Sequence, residues 1–137
     1  MMSATEQNDF QEQVDQIPLL KRETFEMVEN EIAAGIPDIM LDLLETFLTD
    51  SESTLNSIVE GLGSANHSAL ERNAHSLKST FATFGADRGA AYFGRMEQLA
   101  REGHFAQVSA LLPSVQQVYG QTRQIFEQER ERVAANL

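Results

Sequence analysis

The chain contains no cysteine and no tryptophan, only 3 prolines and 2 tyrosines, and few basic residues. The absence of cysteine removes disulfide frameworks and thiolate metal sites, and fits a reducing compartment. Ten Lys and Arg face 21 Asp and Glu, a formal charge of −11. That field repels nucleic acid and anionic membrane surfaces, and no Lys/Arg cluster offsets it, so neither is an expected partner. No apolar run approaches the ~20 residues that cross a bilayer. Residues 1–16 have no basic start followed by an apolar core, so no signal peptide is read there. A cytoplasmic protein is expected.

Hydrophobic residues make up 42% of 137, enough to bury the core of one domain. Residues 1–16 are expected to be a flexible polar tail, with Phe10 and Val14 as weak anchors. Residues 17–137 are expected to form the folded domain. Pro18 suits a helix start, and Leu19, Leu20, Phe25, Val28 and Ile32 give a short first helix before Gly35-Ile36-Pro37 breaks it. Pro37 and Asp38 open a long amphipathic helix through Ile39, Leu43, Leu44, Phe47, Leu48, Leu55 and Ile58, stopped by Gly61 and Gly63. A third helix, capped by Ser64 or Asn66, runs to Phe84. The fourth carries Ala90, Phe93, Met96, Glu97, Leu99 and Ala100, and stops at Gly103. A last stripe runs from Phe105 to Phe126, with Pro113 expected to bend or divide it. No stretch alternates like a strand. Short connections favour antiparallel neighbours. The expected fold is all-α: an up-down antiparallel four-helix bundle with an additional short N-terminal helix.

The third helix carries the chemistry. Leu70, Ala74, Leu77, Phe81 and Phe84 step by four, three, four and three and form one apolar stripe. His75 falls about 140° from the centre of that stripe. A core histidine would lie on it. This one points to solvent, with Lys78 one turn on and small Ser79 and Ala82 beyond. Neutral imidazole is a good nitrogen nucleophile near pH 7. Phosphoryl transfer asks mainly for position and charge neutralisation, which an exposed His beside a Lys provides. No nucleotide-binding loop and no carboxylate cage for Mg²⁺ accompany them, so the chain is not expected to phosphorylate itself from ATP. His67 and His104 show no metal-ligand spacing with His75. Glu71 and His75 are four residues apart, not the three of a di-iron bundle.

The run His75-Ser-Leu-Lys78-Ser-Thr-Phe-Ala-Thr-Phe-Gly85-Ala86 resembles the signature of histidine-containing phosphotransfer (HPt) domains. The flanks Leu44–Leu48 and Arg95–Leu99 are similar to the helices on either side of that signature, so the resemblance covers roughly Pro37 to Phe126. It implies a four-helix bundle that carries phosphate on one histidine and exchanges it with an aspartate of a receiver domain. By the resemblance, His75 is the phosphoacceptor and Lys78 stabilises the phosphoryl group. Glu71, Arg72, Ser79 and Ala82 then fall on the surface a partner would meet. The implied partner is a response-regulator receiver domain, a hybrid histidine kinase, or both. No cofactor is implied on this chain, and Mg²⁺ is expected on the receiver. The chain would be a phosphoryl carrier rather than an enzyme. It departs from the pattern at Ser79, where the family has Gly directly after the Lys. The alternative reading is a non-catalytic helical adaptor that binds a receiver or kinase without phosphate flow.

Overall fold

The computed structural model describes residues 4–137, and every regular element among them is helical. In chain order these are α1 (Ala4–Asp15), α2 (Arg22–Met27) running into a π-helical turn (Val28–Ile32), α3 (Pro37–Gly63), α4 (Leu70–Thr83), α5 (Asp87–Arg101) and α6 (Phe105–Ala134). Helices α3 to α6 close a ring: α3 packs on α4, α4 on α5, α5 on α6, and α6 returns against α3. The connections 84–86 and 102–104 have only three residues each, which favours antiparallel neighbours.

The stripes read from the sequence meet at the bundle centre. Phe47 of α3 stacks on Phe126 of α6 at 4.2 Å between centroids, and lies 5.1 Å from Phe81 of α4. Phe81 meets Phe93 of α5 edge-on at 5.0 Å. Phe81 and Phe84 are both buried, as core residues of the opening stripe. Helices α4 and α5 approach closely because position 89 carries no side chain. A Cβ there would stand 2.4 Å from the Phe81 ring.

Several boundaries differ from expectation. Two N-terminal helices precede the bundle rather than one, because the polar run 4–13 hides its few apolar anchors. Within the stretch expected to be a polar tail, α1 buries Val14 and sets Phe10 edge-on against Tyr92 at 5.4 Å. Residues 1–3 of that stretch lie outside the described residues. Pro18 is not in a helix; its carbonyl accepts from Arg88 N at 3.1 Å. Neither Ser64 nor Asn66 caps α4, which starts after Ala69 without a side-chain cap. The six residues between the helices let both side chains serve elsewhere. Ser64 Oγ donates to Glu60 O at the end of α3, and Asn66 Oδ1 accepts from Ser68 Oγ. Pro113 does not divide α6, which is one helix of 30 residues. Pro113 is exposed, so the carbonyl that loses its intrahelical donor, on Ser109, faces water.

The turn between α4 and α5 is also the anchor for the N-terminal segment. Gly85 adopts φ +81°, a left-handed conformation that ends α4 and reverses the chain. Its carbonyl accepts from Lys21 N at 2.8 Å. Nearby, Arg88 Nε donates to Ile17 O at 2.7 Å and Arg88 Nη2 to Asp15 O at 3.1 Å.

Candidate functional site

Helix α4 buries Leu70, Ala74, Leu77 and Phe81, and this fixes its rotation. His75 is thereby turned out of the core, and its side chain is 61% exposed. Arg72, His75, Ser79 and Ala82 follow at intervals of three, four and three, and all four are exposed on one face. The small side chains of Ser79 and Ala82 leave that face low beside the imidazole.

The site is completed from the neighbouring helix by a residue that sequence reasoning gave no role. Glu97 of α5 sits among the apolar positions Phe93, Met96 and Ala100, and is only 5% exposed. Its Oε2 is hydrogen-bonded to His75 Nδ1. Its Oε1 accepts from Lys78 Nζ at 2.8 Å, and Arg101 Nη2 lies 3.4 Å from the same oxygen. The hydrogen bond from Lys78 holds the Glu97 carboxyl below the usual carboxylate range. Burial opposes this, and the bond to His75 adds to it. The visible signal in the sequence was an acid on a buried stripe, a residue type almost never enclosed without partners.

An ionised carboxylate has no proton to donate. The hydrogen at the His75–Glu97 contact is therefore on Nδ1, and in the neutral imidazole Nε2 carries the lone pair. The fold thus selects one tautomer and directs the other ring nitrogen away from the carboxylate.

Lys78 is less exposed than the sequence implies, at 38% of its side chain. It lies along the flank of α4 facing α5, over Gly94. A Cβ at Gly94 would stand 3.2 Å from Lys78 Cδ, so the bare backbone there leaves room for the lysine stem. Glu71 is not a free surface charge, since its Oε1 accepts from Arg101 Nε at 2.9 Å. Ser68, Glu71, Arg72, His75, Glu97 and Arg101 together line a shallow recess of about 290 Å³.

The other two histidines lie apart from this site. His67 stacks on Phe105 at 3.9 Å, and His104 pairs with Glu102 at 3.3 Å. Among the described residues no group of three or more His, Cys, Asp or Glu is placed to hold a metal ion, and no helix is long and apolar enough to cross a membrane.

No curated protein sequence matches the chain. Among solved structures it is similar to histidine-containing phosphotransfer protein B (HptB) from Pseudomonas aeruginosa, with a TM-score of 0.76 and 30% identity, over 84% of this chain and 96% of that one. The profile of the Hpt domain matches residues 42–132, which include His75, Lys78, Glu97 and Arg101. A helical bundle that turns one histidine outward, matched over most of its length by that profile, belongs to the Hpt domain family.

Proposed function

We propose that this chain is a phosphorelay intermediate that accepts a phosphoryl group on His75 and exchanges it with an aspartate of a receiver domain. Membership of the Hpt family supports a histidine phosphotransfer role. The observation that carries the assignment to His75 is its exposed ring, held through Nδ1 by a buried carboxylate. Nε2 is the nucleophile in this reading. In the forward step it adds to phosphorus of an aspartyl phosphate, the P–O bond breaks, and the bonding pair leaves with the aspartate carboxylate. Nδ1 keeps its proton, so the ring becomes cationic, and Glu97 stabilises that charge where it develops. Lys78 is placed on the same side, one turn from His75, to face the phosphoryl oxygens.

The chain acts here as a phosphoryl carrier. Arg72, Ser79 and Ala82, on the His75 face, form the docking surface, and Glu71 flanks it. Mg²⁺ belongs to the receiver, where it serves the aspartate. Residues 17–137 are the unit that carries these functions, and the cytoplasm is where its partners would be met.

Incubation with a phosphorylated receiver domain tests the assignment. The expected product is an acid-labile, alkali-stable label on the wild-type chain, absent from His75→Gln. Label that persists in His75→Gln overturns the assignment of the acceptor. Receiver binding with no label on any residue, unchanged in His75→Ala, replaces the relay reading with the adaptor reading.

A further inference from the structure

The charges around His75 are arranged as a competition. Lys78 Nζ and Arg101 Nη2 approach the same oxygen of Glu97, at 2.8 and 3.4 Å. Lys78 is half-buried and committed to that oxygen. Arg101 is 61% exposed and divided: its Nε is held at 2.9 Å by Glu71, one turn before His75 on α4. The charged groups lining the recess are Glu71 and Arg72 from α4 and Glu97 and Arg101 from α5, and Lys78 of α4 reaches Glu97 from beside it. Lys78 and Arg101 are paired with the carboxylates of Glu97 and Glu71, and Arg72 lines the same recess. A phosphoryl group on His75 would add close to two negative charges at the mouth of this recess.

We propose that Arg101 is a second phosphate-binding cation of the phosphorylated state, and that Glu71 is a positioning residue that holds Arg101 back until the phosphoryl group arrives. The inference rests on His75 being the phosphoacceptor. Two features of Arg101 support it. A guanidinium has five donors in a planar fork, so Nε and Nη1 can turn toward phosphoryl oxygens while Nη2 keeps its contact with Glu97. Its contact with Glu71 joins two half-exposed side chains, a weak bond in water that a dianion can displace. Lys78, with its shorter bond to a buried oxygen, has less freedom to exchange partners. In the resting protein the ion pair with Glu71 neutralises Arg101 beside the exposed imidazole. On phosphorylation Arg101 shifts its allegiance from Glu71 to the phosphoryl group.

The test uses the full chain labelled with phosphoramidate. In that reaction the P–N bond of the donor breaks, ammonia leaves, and phosphorus bonds to Nε2 of His75. Phosphorus-31 NMR then follows the second ionisation of the phosphoryl group as pH is varied. A cation at the phosphoryl oxygens favours the dianion and lowers the midpoint. Arg101→Ala should raise it by about 0.3 to 0.7 of a unit, and Arg101→Lys should recover part of the shift. Glu71→Gln should lower it by a similar amount. The decisive measurement is the double variant. If Glu71 acts through Arg101, Glu71→Gln has little effect when Arg101 is already Ala. A Glu71→Gln shift of the same size in both backgrounds means that Glu71 acts only through its own field, and overturns the restraint. No shift in Arg101→Ala overturns the second cation. Failure of the wild-type chain to take label on His75 is a distinct result, and it removes the functional reading rather than the role of Arg101.

Discussion

His75 Nδ1 and Glu97 Oε2 are hydrogen-bonded across the α4–α5 interface, although 22 residues separate them in the chain. One partner is largely in solvent and the other is enclosed. The enclosed member is held by Lys78 as well, and it sets the orientation and tautomer of the exposed one. Replacing Glu97 by Gln keeps an oxygen for Nδ1–H but removes the charge that opposes the cationic ring. Phosphorylation of His75 by a phosphorylated receiver should slow by roughly tenfold or more, with little change in receiver binding. A rapid-quench time course at saturating receiver reads the rate, and an unchanged rate would show that Glu97 only packs.

Lys78 has two duties in this geometry. In the proposed relay it faces the reacting group, and its hydrogen bond is the strongest influence holding the Glu97 carboxyl below the usual carboxylate range. Lys78→Ala should therefore slow transfer while leaving the bundle folded, as its side chain is partly exposed and its stem lies over Gly94 rather than in the core. Circular dichroism and the same transfer assay separate the two effects. A collapsed helical signal would place Lys78 in the structural core instead.

A second buried carboxylate has a purely structural setting. Glu129 of α6 is 6% exposed and receives Arg22 of α2 on one oxygen and Arg132 on the other, the latter at 2.6 Å. Arg132 also grips both oxygens of Glu29 in the π-helical turn, at 2.7 and 3.2 Å. The network binds the N-terminal elements to the end of the bundle. Arg132→Ala should lower unfolding free energy by about 1–2 kcal/mol, since it strips a buried acid of one partner while water reaches the gap. Urea unfolding measures this, and Arg132→Lys should restore only part, because a single ammonium cannot bridge both acids.

The two buried acids also determine how stability depends on pH. For Glu129, burial opposes the charged form but is outweighed by the hydrogen bonds from Arg132 and Arg22, so its folded pKa lies below the ordinary value. That of Glu97 is lowered as well. Protons therefore bind these groups more readily in the unfolded chain. Their contribution is complete above the unfolded carboxylate value of about 4.3, and is lost as pH falls through the lower folded values. Urea midpoints should fall between pH 7 and the acid range below that value. The fall should be shallower in Glu97→Gln and in Glu129→Gln, and equal slopes in all three proteins would locate the acid sensitivity elsewhere.

Ser79 is exposed on the His75 face, and its carbonyl accepts from Thr83 Oγ1 at 2.9 Å. Ser79→Gly removes the side chain that departs from the family pattern. It should strengthen receiver binding while costing about 0.5–1 kcal/mol of stability, because glycine inside a helix loses more backbone freedom. Calorimetric titration with a receiver and thermal unfolding test the two signs together. Weaker binding in the glycine variant would mean that Ser79 makes a productive contact.

Much of the architecture could be read from residue order, because the bundle is built on local periodicity. The stripe Leu70, Ala74, Leu77, Phe81 is sufficient to turn His75 outward on any α-helix, and the motif from His75 to Ala86 carries the family resemblance. Gly85 and Gly103 mark real chain reversals, each with positive φ. The limits of local reading lie where a residue answers to a distant partner. Helix α1 has too few apolar residues to announce itself, and rests on Tyr92 and on the Arg88 contacts of the segment that follows it. Pro113 bears a helix-breaking signal, yet α6 continues because water can serve the freed carbonyl and the core holds both halves.

Sequence alone determined that His75 and Lys78 share a helix and that His75 faces away from its apolar stripe, since the 3.6-residue period fixes that within fourteen residues. Tertiary structure alone decided what stands behind them. Glu97 reaches His75 and Lys78 only because α5 folds back along α4, closely enough at Gly89 and Gly94 for one enclosed carboxylate to span both. Periodicity places a side chain on a face. It does not say which groups of another helix meet that face, and here that pairing selects the tautomer of the histidine.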